Sequence, residues 1–270
     1  MHMKFSTRIA VAVCFGLLIT VLALAQGFSS NSASPSQVAH FKPEQIKAFS
    51  QKVEHTLVGT GARVAIVARM GRPLSELPEG MHFTHVAFAV AEEKTDATGK
   101  KSMGYAMQNL YQLDDHPDQS ELVQDDPVDF FKGVVTLESG VIIPSPELQA
   151  KLLKVIASPT YKRLHQREYS IIANPYTLGR QNCTEFVLDV VNAAIYQTSD
   201  IQVIKAQEKA HFVAQPVNVS AFKLLIGALF KAEVSISDQP GATETATFER
   251  LADYFHNYDA GSSVKTIYPD

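Results

Sequence analysis

Residues 182–196, NCTEFVLDVVNAAIY, dictate one element of the fold before anything else is considered. Asn182 is a favoured N-cap, and Glu185 stands three positions on, where a capping-box acid belongs. Phe186, Val187, Val190, Val191 and Ala194 recur at helical spacing, so a helix starts at Cys183 and must bury that stripe. Candidate partners lie upstream. RVAIVAR (63–69), HFTHVAFAV (82–90) and MGYAMQNLYQL (103–113) read as strands, the last two as antiparallel neighbours across the turn EKTDATGKKS. GVIIP (140–144) offers a further short strand, and VDFFKGV (128–134) is open between helix and strand. The acidic stretch DDHPDQSELVQDDP (114–127) reads as a loop.

Other helices are expected over KPEQIKAFSQKVEHTL (42–57), SPELQAKLLKVIAS (145–158), VSAFKLLIGALFKA (219–232) and ATFERLADYFHNY (246–258). One helix, then strands, then several helices is the order of an α+β fold: a small antiparallel sheet packed against the cysteine helix, with additional helices. Residues 43–270 are expected to form a single domain with a C-terminal helical extension, preceded by a flexible polar linker over 26–42. No glycine-rich nucleotide fingerprint is present.

The first 25 residues read as a secretory signal peptide. Lys4 and Arg8 precede an apolar run from Ile9 to Leu24, and Ala23-Leu24-Ala25 suits cleavage after Ala25. The expectation is an exported, periplasmic protein with no membrane span after signal removal; the alternative is a retained N-terminal anchor in the inner membrane. With 24 basic and 28 acidic residues the net charge is −4, which gives no footing for nucleic acid.

Of two cysteines, Cys14 leaves with the signal and Cys183 remains alone. One thiol cannot form an internal disulfide, so in an oxidising compartment it is either buried packing or chemistry. At the start of a helix it meets unsatisfied amides and the positive end of the macrodipole, which favour a thiolate. A thiol nucleophile works with a base, most often histidine. His85 is the candidate: it shares a strand face with Ala87 and Ala89, where a helix N-terminus can approach, while Thr84, Val86, Phe88 and Val90 occupy the other face. Asn109 on the following strand is the first choice to orient the imidazole, with Gln108 the alternative, since alternation allows only one on the His85 face. Thr184, Tyr176 and Gln181 are candidates for the oxyanion site or pocket. A metal centre from His82, His85 and the acids near His116 is disfavoured, because odd spacing parts the two histidines; no metal or cofactor is expected.

NCTEFV resembles the DCSGFV nucleophile motif of NlpC-type papain-like cysteine peptidases, and THVAFAV resembles their HVGIYL histidine strand. Histidine before cysteine matches the circularly permuted branch, which includes lecithin:retinol acyltransferase-like proteins. The resemblance implies a permuted papain-like fold with Cys183 as nucleophile, His85 as base and the third position on the second strand. Thr184 and Glu185 stand where that motif has Ser-Gly, which narrows access to the thiol, and residues 113–182 form an unusually long insertion. RVAIVARMG, QNLYQL and YSIIANPYTLGRQNCTEFVLD are also similar to a bacterial exported family catalogued as domain of unknown function 2145, which implies no activity. The resulting expectation is a thiol-dependent hydrolase or acyltransferase acting on amide, ester or thioester bonds, with cell-wall peptides or lipid acyl groups as substrates. The alternative is a non-catalytic envelope binding protein in which Cys183 packs.

Overall fold

Every position of β1 (Val64–Arg69) is buried, so this strand is covered on both faces, and it pairs with β2 (His85–Thr95), buried over its first five residues. The computed structural model describes residues 39–95, 98–220 and 234–270. The expected signal segment, most of the linker and the expected helix at 219–232 (all but its first two residues) lie outside them. β3 (Lys101–Gln112), β4 (Ser120–Asp125) and β5 (Ser139–Ile143) complete the centre, and the sheet runs β4-β3-β2-β1-β5-β8 with every pairing antiparallel. The outermost strand β8 (Ser263–Ile267) pairs with β5. A two-residue ladder joins β6 (Gln215–Pro216) to β7 (Glu244–Thr245).

Helices cover both faces. α1 (Pro43–Gly59) and α2 (Pro127–Phe131) close one face: Ile46, Phe49, Val53, Phe130 and Phe131 pack with Ala65, Val67, Ala87 and Ala89. On the other face α5 (Cys183–Tyr196) packs Phe186, Val187 and Val190 with Ile66, Val86, Phe88 and Leu110. α3 (Pro146–Ile156), α4 (Pro159–Leu164), α6 (Ile201–His211) and α7 (Phe248–Tyr258) surround α5. Described residues of the chain thus form a mixed α+β structure with a six-stranded antiparallel sheet and seven helices. None of these helices is long and apolar enough to cross a membrane.

α5 starts at Cys183 as its sequence predicts, but it is buried from Cys183 to Ala194, on all sides and not along one stripe. β4 lies within the acidic stretch read as a loop. Its register with β3 sets Leu122 against Leu110, while Glu121 and Gln124 stay exposed, as suits an edge strand. Beyond residue 246, α7 places Phe248, Leu251, Tyr254 and Phe255 in the α5 core, and the chain then returns as β8 rather than ending in a helical extension.

Candidate functional site

The cap of α5 forms as its residues require. Asn182 Oδ1 accepts from the Glu185 amide at 2.8 Å, and Asn182 Nδ2 donates to Ile171 O and Thr245 Oγ1. This fixes the helix start against the preceding loop and β7. Cys183 is buried, with Sγ 4.0 Å from Thr84 O and 3.9 Å from Thr184 Oγ1. The thiol therefore abuts the carbonyl of the residue that precedes His85. The Thr84 amide in turn donates to Arg69 O at 3.0 Å.

Strand alternation decides where the His85 ring goes. The small Ala87 and Ala89 face expected to receive α5 is instead covered by α1 and α2; α5 takes the Val86 and Phe88 face, where larger side chains fill its stripe. His85 projects to the α2 side, stacked on Tyr111 with centroids 4.8 Å apart and 5.7 Å from the Phe130 ring. Arg69 and His85 are the final pair of the β1–β2 ladder, so thiol and imidazole flank the end of that ladder, not its middle.

His85 Nε2 lies 3.0 Å from Asn109 Oδ1. Asn109 is the strand residue on the His85 face, paired with Ala87; Gln108 pairs with Phe88 on the other face and bonds Gln124 at 2.9 Å. Burial, reinforced by the Arg69 guanidinium and opposed by the Asn109 hydrogen bond, holds His85 well below the ordinary histidine range, so the imidazole is neutral.

Three residues around His85 were not singled out from sequence. Arg69 is buried, donates to Phe130 O, and its guanidinium carbon lies 5.5 Å and 5.0 Å from the Tyr111 and Phe130 centroids. Tyr111 donates to Asp125 Oδ2 at 2.6 Å, and the same oxygen lies 3.4 Å from Asn109 Nδ2. Burial lowers the Arg69 guanidinium, against the charge of Asp125; burial raises Asp125, against the Tyr111 hydrogen bond and Arg69. A lone arginine closing an apolar strand was the available sequence signal for Arg69. Tyr111 and Asp125 are ordinary strand residues until register sets them beside His85.

Thr184 is buried beside the thiol. Tyr176 donates to Phe212 O and accepts from the Ala214 amide, both at 2.9 Å, which ties the loop before α5 to the end of α6. Gln181 is fully buried; Nε2 donates to Leu164 O and Asp189 Oδ2, and Oε1 accepts from the Gln166 amide. Both residues are thus engaged in fixing the approach to α5. His82 lies outside β2, with Nε2 2.9 Å from Glu138.

A second buried polar group stands one turn along α5. Lys205 Nζ reaches Glu185 at 2.8 Å, Asp189 at 2.7 Å and Glu208 at 3.1 Å, and donates to Pro175 O. Burial pushes Glu185 up to about 8 despite the pull of Lys205.

A family model described as an uncharacterized protein conserved in bacteria, DUF2145, matches residues 56–255. The chain belongs to DUF2145. No curated protein and no solved structure matches it. The DUF2145 span takes in the whole constellation, from Arg69 on β1 to Cys183 on α5.

Proposed function

We propose that the chain is an exported thiol-dependent hydrolase or acyltransferase with a permuted papain-like arrangement. One observation carries the reading: the first turn of α5, bearing Cys183, abuts the start of β2, bearing His85, whose ring bonds Asn109 on the neighbouring strand. The asparagine engages Nε2, which leaves Nδ1 as the basic atom of a neutral imidazole.

In this reading thiol and imidazole, which leave opposite faces of the sheet but flank the same end of the β1–β2 ladder, exchange a proton around that end: the Cys183 proton passes to His85 Nδ1 and the thiolate sulfur bonds to the substrate carbonyl carbon. The carbonyl electrons move to oxygen, and the amides of Cys183 and Thr184, ahead of the first intrahelical bonds, receive the oxyanion. Collapse breaks the bond to the amine, alcohol or thiol, which takes the proton from His85. Water or an acceptor nucleophile, deprotonated by His85, then releases the acyl group and restores the thiol. Amide, ester and thioester carbonyls fit this sequence, and an exported setting favours cell-wall peptides over lipid acyl groups.

Cys183 is only 4 % exposed and His85 1 %, and this burial supports a second reading: an envelope binding protein whose cysteine packs. Iodoacetamide modification at pH 7, followed by intact mass, separates the two. A hydrolase gives native modification at Cys183 that slows in His85→Ala. Modification only after denaturation overturns the enzyme and leaves the binding protein.

A further inference from the structure

We propose that Asp125 is a positioning residue for His85, acting through the Asn109 amide to set which ring nitrogen carries the proton. The inference rests on the reading of His85 as the base. Asn109 Nδ2 faces Met107 O at 3.1 Å and Asp125 Oδ2 at 3.4 Å. A backbone carbonyl and a carboxylate oxygen that already receives the Tyr111 hydroxyl are both acceptors, so the NH₂ end of the amide belongs there. The opposite end, facing His85 Nε2, is then the carbonyl oxygen, and it needs a donor. Nε2 must carry the proton, and Nδ1 keeps the lone pair.

Met107 O alone would leave this amide held by one main-chain bond. Asp125 adds an acceptor on a different strand, one that cannot turn into a donor while ionised. It also holds the hydroxyl of Tyr111, the ring on which the imidazole stacks at an interplanar angle of 19°. One carboxylate on β4 therefore restrains both the hydrogen-bond partner and the stacking partner of His85. Asp125 touches neither the thiol nor the imidazole, so its effect is expressed only through Asn109 and Tyr111. Arg69, 5.5 Å from the Tyr111 centroid, supplies the opposing charge that favours the ionised carboxylate.

Ring-nitrogen NMR of His85 in the full-length protein tests this, with the resonances identified by their loss in His85→Gln. The wild type should show one neutral tautomer, protonated at Nε2. Asp125→Asn, which can present an amide to Asn109, should lose that single signature and give a mixture. Tyr111→Phe, which removes the hydroxyl but not the Asn109 contact, should keep it. If Asp125→Asn does not fold, Asp125→Ser reads the same effect. A single Nε2-protonated tautomer in folded Asp125 variants overturns the proposal. Iodoacetamide modification of the same samples keeps the two readings apart. A native thiol that never reacts, with a tautomer that follows Asp125, removes the hydrolase and leaves the positioning role. A reactive, His85-dependent thiol with an unmoved tautomer does the reverse.

Discussion

At the scale of single residues, the imidazole is governed by what surrounds it. Burial is the larger cause of its lowered basicity and Arg69 the next. Arg69→Met should therefore raise the His85 midpoint while leaving it below the ordinary value of about 6.5, as followed by NMR titration. A midpoint unchanged in that variant would remove Arg69 from the account. Asn109→Ala takes away the ring's partner and leaves a buried donor without it, which should cost about 1–3 kcal/mol in urea unfolding. The sequence made the α5 cap before Cys183 and the pairing of His85 with Asn109 legible, because a cap and strand alternation are local rules; the face on which α5 meets the sheet follows no local rule and was read the wrong way round. Arg69, Tyr111 and Asp125 obey no such rule. They meet through the registers of β1 with β2 and β3 with β4, and register is not written in any short stretch.

Elements were legible in proportion to their apolar contrast. α5 announced itself through Asn182 and its valines, and its bounds match the sequence reading. The side of the sheet on which it packs did not, because either face of a fully buried strand is apolar. β4 was hidden by Glu121, Gln124 and Asp125, the polar positions an outer strand needs. α6 was hidden for another reason: two of its three buried residues are Lys205 and Glu208, so its inward side carries charge. Two losses should distinguish core from cap on α5. Phe186→Ala, deep against Tyr161 with centroids 5.0 Å apart, should cost about 3–5 kcal/mol. Asn182→Ala should cost about 0.5–2 kcal/mol through the cap, with the loss of its bonds to Ile171 and Thr245 adding to this. Chemical denaturation of both variants measures the difference, and equal losses would contradict this division of roles.

On the scale of the whole molecule, the Lys205 cluster links the stability of the fold to pH. Glu185 is raised from the ordinary glutamate range to about 8, so the folded chain keeps a proton that the unfolded chain has released. Between pH about 4.5 and about 8 the unfolded state binds fewer protons at this site, and its contribution to stability falls as pH rises. Glu185→Gln should flatten that decline, as read from urea midpoints across the window. An unchanged slope would exclude Glu185 as its source. The strand order has a consequence in time as well as in space. Arg69, His85, Asn109, Tyr111 and Asp125 all belong to the contiguous meander β1–β4, whose pairings are local, whereas Cys183 joins it only across a far longer loop of chain. We expect pulsed hydrogen exchange during refolding to protect the β1–β4 amides before those of α5. The imidazole half of the site would then be assembled while the thiol is still in water and open to oxidants.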